Sequence, residues 1–396
     1  MKNSSTRHGL AELHFFLLYL PPVETDSIEH PGLWASLYID YDWFGQTGTD
    51  TFLWFWLVHQ PGVNVDEDQL YEDLFPTGGE FPQLTKLCVD LASEYIFGYD
   101  FQGYPPYALK NARSLHQLHF ERVPWMLTIP YETLKIYSTE NVTVSECIEV
   151  LRNAINLSSS TFSLIPDTPQ DPITSLSPLV NLRDLTLSES VRTAPPLLAM
   201  NLLRHLTVPS LNHLTLKFEA VDLDMPPAVD ISEFVFFTSR SLHRLEKLTL
   251  CFLPTSETVL VQCLQDMPCI TTLRIQLYTP IDNVLDRLAN DRDFLPRLEY
   301  LHIIHGTPPW SLLEYDGPTP DRLFGMLSSR RHPSDVGQRP VQLQAFQFEI
   351  YDASYAANLF IVSVVSDPRY GQFEDSGMTL SIGTLNWGSM SWWVDI

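Results

Sequence analysis

Positive charge is scarce here: 24 Lys and Arg stand against 48 Asp and Glu, a formal charge of -24. A surface with that balance repels phosphate backbones and anionic lipid, so nucleic acid and membrane surfaces are poor partners for it. Long apolar runs are missing as well. The longest, 52–58 and 359–365, have the length of strands and fall far short of the ~20 residues that span a bilayer. Cysteine is sparse and odd in number. Cys88, Cys147, Cys251, Cys263 and Cys269 form no close pair, which argues against a disulfide framework or a zinc site and for buried thiols in a reducing compartment, cytoplasm or nucleus. Lys2 and Arg7 precede the apolar stretch 13–20 and imitate a secretion signal. Glu12 and His14 interrupt that stretch, and Pro21 and Pro22 follow where a small-residue cleavage site would stand. Export is therefore the minor reading; under it the sequons at Asn3, Asn141 and Asn156 would carry glycan.

The signatures of several chemistries are absent too. The acidic stretch 64–73 starts like a calcium loop, but Gln69 stands where the loop needs glycine and Phe75 where it needs a bidentate glutamate. The glycine turns 45–50 and 77–80 lack the Lys-Ser/Thr of a phosphate loop, and there is no nucleophile elbow or H-E-x-x-H helix. His116 with His119, and His302 with His305, are three apart; on a strand such pairs point to opposite sides and share no metal. Asp282, Asp286, Asp291 and Asp293 read as a solvated helix face rather than as paired acid and base. Trp392 and Trp393 read as a terminal packing element, with an exposed anchor as the alternative. No enzyme, cofactor or metal site is expected.

What the sequence does have is a repeat. Apolar residues make up 44 % of it, enough for a large core. The pattern apolar-x-x-apolar-x-apolar returns at Leu84/Leu87/Val89, Leu115/Leu118/Phe120, Tyr131/Leu134/Ile136, Leu182/Leu185/Leu187 and Leu211/Leu214/Leu216. It continues at Leu245/Leu248/Leu250, Ile270/Leu273/Ile275 and Leu298/Leu301/Ile303, with weaker copies at Leu343/Phe346/Phe348 and around Phe162 and Leu164. The last two apolar positions lie two apart, so a strand sends them to one side and the residues between them to the other. One unit cannot cover its own aliphatics, whereas stacked neighbours can, and the expected architecture is a one-dimensional stack.

Segments of helical period lie between these strands. Cys147, Ile148 and Leu151 form one stripe with Ser145 as the expected cap; Val259, Leu260, Cys263 and Leu264 form another behind Ser256. The stretches from Asp282 and from Pro320 follow the same plan. Copies recur at intervals of 16 to 45 residues, so the repeat is irregular, and the proline pairs at 195–196, 226–227 and 308–309 fall between units. The fold class expected is α/β: an irregular leucine-rich-repeat solenoid with a parallel strand ladder on its concave face and helices on its convex face.

Several segments, taken in order, resemble the fungal, mushroom-type F-box proteins with divergent leucine-rich repeats. Pro31 to Asp40 is similar to the segment that follows the F-box in that group. Residues 143–153 with 161–164, and 206–216, match its helix-then-strand wording, and 377–387 its closing strand. The resemblance spans roughly 28–396. It implies a substrate receptor of an SCF-type ubiquitin ligase. The family's F-box opens with a Leu-Pro-x-Glu-like helix and closes with a Cys-x-x-Trp-like one; residues 1–27 match neither. A Skp-type adaptor and a cullin are thus expected as partners only if an F-box exists outside this chain. The division expected is 1–27 without a recognisable F-box, 28–80 leading in, 81–350 as the solenoid and 351–396 as a C-terminal strand and cap.

The candidate partner-binding residues are those between the strand leucines: Lys86, Gln117, Lys135, Asp184, Thr186, His213, Lys217, Lys247, Thr272, Arg274, Tyr300, His302 and Gln347. They are more basic than the chain that carries them. Either they grip an acidic or phosphorylated segment, or they are a mixed polar strand face. The function expected is a monomeric protein-binding scaffold; the alternative is a stand-alone repeat binder without coupling to ubiquitin transfer.

Overall fold

The computed structural model describes residues 16–19, 34–41, 51–58, 84–92, 107–108, 112–120, 127–166, 176–191, 197–220, 231–241, 244–253, 255–277, 280–305, 317–331, 341–350 and 355–384. The acidic stretch 64–73, both glycine turns, the three proline pairs, Trp392 and Trp393 lie outside them. The chain forms two compact units, 1–139 and 140–396, with the division inside the expected stretch 81–350.

In the first unit β1 (Phe16–Tyr19), β2 (Trp34–Tyr41) and β3 (Thr51–Val58) pair antiparallel in sequence order, ahead of the stretch 81–350 for which the parallel ladder was expected. β3 then pairs parallel with β4 (Leu84–Ala92). Two short strands, β5 (Tyr107–Ala108) and β7 (Leu127–Thr128), form a ribbon of their own. β4 is followed in the ladder by β6 (Gln117–Phe120) and β8 (Ile136–Val142), both parallel. The copy at 131–136 is corrected here. Ile136 pairs with Gln117 and is exposed, whereas Tyr137 pairs with Leu118 and is fully buried. The working triplet is Leu134, Tyr137 and Thr139, three residues later than the pattern suggested. Tyr131 instead opens a single 3-10 turn, Tyr131–Thr133.

The second unit is a parallel ladder in strict sequence order: β9 (Ser159–Leu164), β10 (Asp184–Val191), β11 (His213–Ala220), β12 (Lys247–Cys251), β13 (Thr272–Leu277), β14 (Tyr300–His305), β15 (Ala345–Ile350) and β16 (Thr379–Thr384). Its register stacks the leucines. Leu185, Leu214, Leu248, Leu273, Leu301 and Phe346 form one column; Leu187, Leu216, Leu250, Ile275, Ile303 and Phe348 form the next, and none is more than 2 % exposed. Burying side chains of this size contributes roughly 1.5–3 kcal/mol each, available only because every neighbour supplies the same column.

A backbone device repeats just ahead of each strand. The carbonyl of Arg183 accepts from the N–H groups of both Asn212 and His213; those of Asn212, Glu246, Thr271 and Glu299 do the same for the next unit along. One carbonyl with two lone pairs thereby satisfies two consecutive donors and locks the register from one unit to the next.

Parallel strands need crossovers, and helices supply them. They are α1 (Val144–Asn153), α2 (Leu198–His205), α3 (Ser232–Ser241), α4 (Glu257–Gln265), α5 (Asp282–Asn290), α6 (Pro320–Arg331), α7 (Tyr355–Val365) and α8 (Pro368–Asp375). α1 is capped by Thr143 rather than Ser145. The Thr143 hydroxyl accepts from Glu146 N–H and the Glu146 carboxylate accepts from Thr143 N–H, a full capping box. Ser256 caps α4 as expected. The run 359–365 is helical, not a strand: it lies between β15 and β16, where the chain must cross back to keep its strands parallel. With α7, α8 and β16 in place, 351–384 adds one more unit to the ladder.

Long-range caps tie successive helices together. Glu189, at the end of β10, accepts from Ala199 N–H (2.6 Å) at the start of α2, and burial pushes its carboxyl up to about 7 against two backbone donors. Glu257 accepts from Asn283 and Val284 N–H and so caps α5 from the preceding helix. At the opposite ends, Arg240 of α3 donates to the carbonyls of Leu203, Arg204 and Leu206 behind α2. Arg330 of α6, 2 % exposed, donates to those of Leu288, Asp291, Phe294 and Leu295 behind α5.

Candidate functional site

Opposite the leucine columns, each strand of the second unit presents the residues in between. The register sorts them into three rows. The first holds Asp184, His213, Lys247, Thr272, Tyr300 and Ala345; the second Thr186, Thr215, Thr249, Arg274, His302 and Gln347. The third holds Ser188, Lys217, Cys251, Gln276, Ile304 and Glu349. Ten of the expected site residues, Asp184 through Gln347, therefore share one strand face. In the first unit Lys86 and Gln117 pair in one row on β4 and β6. Lys135 leaves the set: with the triplet shifted it precedes β8, its N–H bound to the His116 carbonyl, and Ile136 takes the outward place.

The face is electrostatically ordered. On β11 to β14 the described outward side chains include His213, Lys217, Lys247, Arg274 and His302 and no carboxylate. The carboxylates stand on the flanking strands and reach inward. Asp184 Oδ1 lies 2.5 Å from His213 Nδ1, and Glu349 Oε2 lies 2.8 Å from His302 Nε2. Gln347 Nε2 donates to the other Glu349 oxygen at 2.9 Å. Burial works to raise the Glu349 pKa, but the bond and charge of His302, the Gln347 amide and the charge of Arg274 outweigh it and hold the carboxyl below its ordinary range. Burial in turn lowers Arg274, opposed by Cys251 and Glu349. At the strand starts, Tyr300 Oη donates to Gln344 Oε1 (3.1 Å), whose amide donates to Glu299 (3.2 Å).

The third row sinks out of solvent at its centre: Cys251, Gln276 and Ile304 are all buried. Gln276 Nε2 has no hydrogen-bond partner among the described residues. Thr215, Thr249, Gln276 and Glu349 were outside the expected set. Extending the two-residue strand period past the second leucine of each copy would have found the last two.

The remaining candidates resolve as scaffolding. His302 lies on the outward face and His305 is buried on the opposite one, as a three-residue strand spacing requires. Asp282 and Asp286 both hold Arg322 of α6 (2.6 and 2.9 Å) while staying partly exposed, and Asp291 pairs with Arg287 at the end of α5 (2.8 Å). All five cysteines are thiols, with Cys147, Cys251 and Cys263 buried. Among the described residues no three His, Cys, Asp or Glu side chains stand together as metal ligands, and no helix is long and apolar enough to cross a membrane. In comparisons with known proteins, no family model and no curated protein matches the chain.

Proposed function

We propose that this chain is a leucine-rich-repeat-type receptor that binds a protein partner on the outward strand face of its second unit and catalyses no reaction. The observation that carries this reading is the order of charge. In a chain of -24, Lys217, Lys247 and Arg274 stand on adjacent strands of one face, and the carboxylates among the described outward side chains, Asp184 and Glu349, stand on the strands either side of β11 to β14. Side chains standing on a rigid ladder are pre-organised, so little conformational entropy is lost when a partner meets them. The resemblance to F-box receptors supports a role in selecting a substrate for ubiquitin transfer, in cytoplasm or nucleus, as a monomer. A Skp-type adaptor and cullin belong to that role only if an F-box exists outside this chain.

A photo-crosslinking residue at Thr249, on the strand face, and at Gln262, on the exposed side of α4, tests the site. The reading expects a protein adduct from Thr249 alone, lost when Lys217→Glu and Lys247→Glu reverse the local charge in a chain that still melts normally. Adducts from Gln262, or adducts indifferent to the reversal, contradict it. The second reading, a stand-alone repeat binder, is favoured by the failure of residues 1–27 to match either F-box helix. Recovery of a Skp-type adaptor with the protein expressed from its own locus decides between the two.

A further inference from the structure

We propose that the far end of the second unit's ladder is an intramolecular docking surface, and that residues 385–396 occupy it, seated through Trp392 and Trp393 on an apolar stripe of α7. This closure is independent of the receptor reading.

The stripe follows from the composition of the helix. α7 alone among the eight described helices carries no Asp, Glu, Lys or Arg. A helix that is apolar on all sides belongs in an interior. Its inner side has such a place: Ala357 and Val364 are fully buried, and the Phe360 ring meets Phe348 at 5.8 Å. Its other side does not. Leu359, Val362 and Val365 stand three apart, which sets them in one stripe, and they are 50 %, 60 % and 45 % exposed. On its own exposed side α4 shows Gln262 and Gln265 instead.

The elements nearest this stripe are engaged elsewhere. α8, the next helix along the chain, turns back to α6. Phe373 stacks on Phe324 at 6.1 Å, and the Arg369 guanidinium lies 4.5 Å from the centre of the same ring and 2.8 Å from Asp321. β16, against which α7 lies, is the last strand of the sheet, and among the described residues no strand pairs with its far side. The second leucine column is fully buried from Leu187 to Phe348, yet Ile382, which closes it on β16, is partly exposed. A stacked array has such an end where a capping element is still to be added.

The sequence that continues from β16 suits that end. Residues 385–396, Leu-Asn-Trp-Gly-Ser-Met-Ser-Trp-Trp-Val-Asp-Ile, lie outside the described ones. Seven of the twelve are large and apolar, and Asp395 is their one charge. From Thr384 to Trp392 the chain can span up to about 26 Å, whereas packed layers lie only about 10 Å apart. A tether that short holds a segment at an effective concentration on the order of millimolar. A second copy has no such advantage, and two chains of -24 repel one another as they meet. Docking also covers the stripe and the tryptophan pair together, each of which would otherwise be a surface prone to aggregation.

The test places a photo-crosslinking residue at Val362 in the whole purified chain, with Gln262 as the control position. After irradiation in dilute solution, mass spectrometry should find Val362 joined to a peptide from 385–396 of the same molecule, and no such product from Gln262. A covalent dimer through Val362 would assign the stripe to a second copy, and a product elsewhere in the chain to another segment. Either overturns the inference, as does the absence of any adduct to 385–396. Substitution gives a second readout. Trp392→Ser with Trp393→Ser should speed amide exchange over 355–365 at least about tenfold while leaving α1 unchanged. Val362→Lys should lower Tm by about 3 °C or more in the parent and by less than about 1 °C in the doubly substituted chain, because the surface it spoils is no longer in use. Equal Tm shifts in the two backgrounds, or unaltered exchange over 355–365, overturn the docking.

Discussion

Removing the Arg330 guanidinium should unfold the second unit far more readily than removing any surface charge. Its Nε donates to Leu288 O at 2.7 Å, and its terminal nitrogens to Phe294 O at 2.5 Å, Leu295 O at 3.2 Å and Asp291 O at 3.4 Å. These carbonyls belong to the end of α5 and the turn behind it, where Leu295 sits at φ 50, a backbone region unfavourable for a leucine. Burial lowers the Arg330 pKa to about 10, the mark of a charge held out of water at a cost. Arg330→Met strands at least the two closest carbonyls, at roughly 1–3 kcal/mol each, and relieves part of the cost of burying the ion. The expected net loss is about 3–4 kcal/mol. Arg330→Lys keeps the charge but loses the fork and should cost about 2 kcal/mol. Urea unfolding followed by circular dichroism measures the loss, and hydrogen exchange over 282–305 localises it. A change below about 0.5 kcal/mol for Arg330→Met would refute the idea that this side chain holds the turn.

Two further outcomes follow from the same physics. Glu189 keeps its proton in the folded chain up to about pH 7, while the unfolded chain releases it near 4.5, so the native state binds more protons across that window and stability falls as pH rises through it. Glu189→Gln removes that slope; by urea titration it should gain on the parent between pH 5 and 8 by up to about 3 kcal/mol, and parallel pH profiles for the two proteins would contradict the assignment. The shifted triplet in β8 predicts that Tyr137→Ala costs about 3–5 kcal/mol while Ile136→Ser stays within about 0.5 kcal/mol. The reverse ranking in thermal melts would restore the unshifted pattern.

The ladder was legible wherever two large aliphatics stood two apart behind a third, because nothing but a stacked strand makes use of Leu211, Leu214 and Leu216 in that order. It blurred where a unit substitutes an inward residue. Ser160 occupies the column of Leu185, buried but polar, so the copy around Phe162 was only half visible. In β8 Leu134 fits either of two triplets, and Ile136 looks the better inward residue until Tyr137 takes the buried place. Helix α7 was hidden because Leu359 to Val365 is apolar on all sides, with Leu359, Val362 and Val365 exposed, so that no period distinguishes it from a strand. Most of the outward rows followed from the ladder. The long-range caps Glu189, Glu257, Arg240 and Arg330 did not, because their partners lie 10 to 42 residues away and no local spacing records them.

The in-register ladder of the second unit can be measured as a single distance. Spin labels introduced at Thr186 and Gln347 through unnatural amino acids, leaving the native thiols untouched, sit in the same outward row five strands apart. At about 4.8 Å per strand, pulsed dipolar spectroscopy should find one narrow distribution near 24 Å. A broad distribution, or a separation well beyond 35 Å on the order of several strand widths more, would mean that no continuous strand face exists to hold a partner.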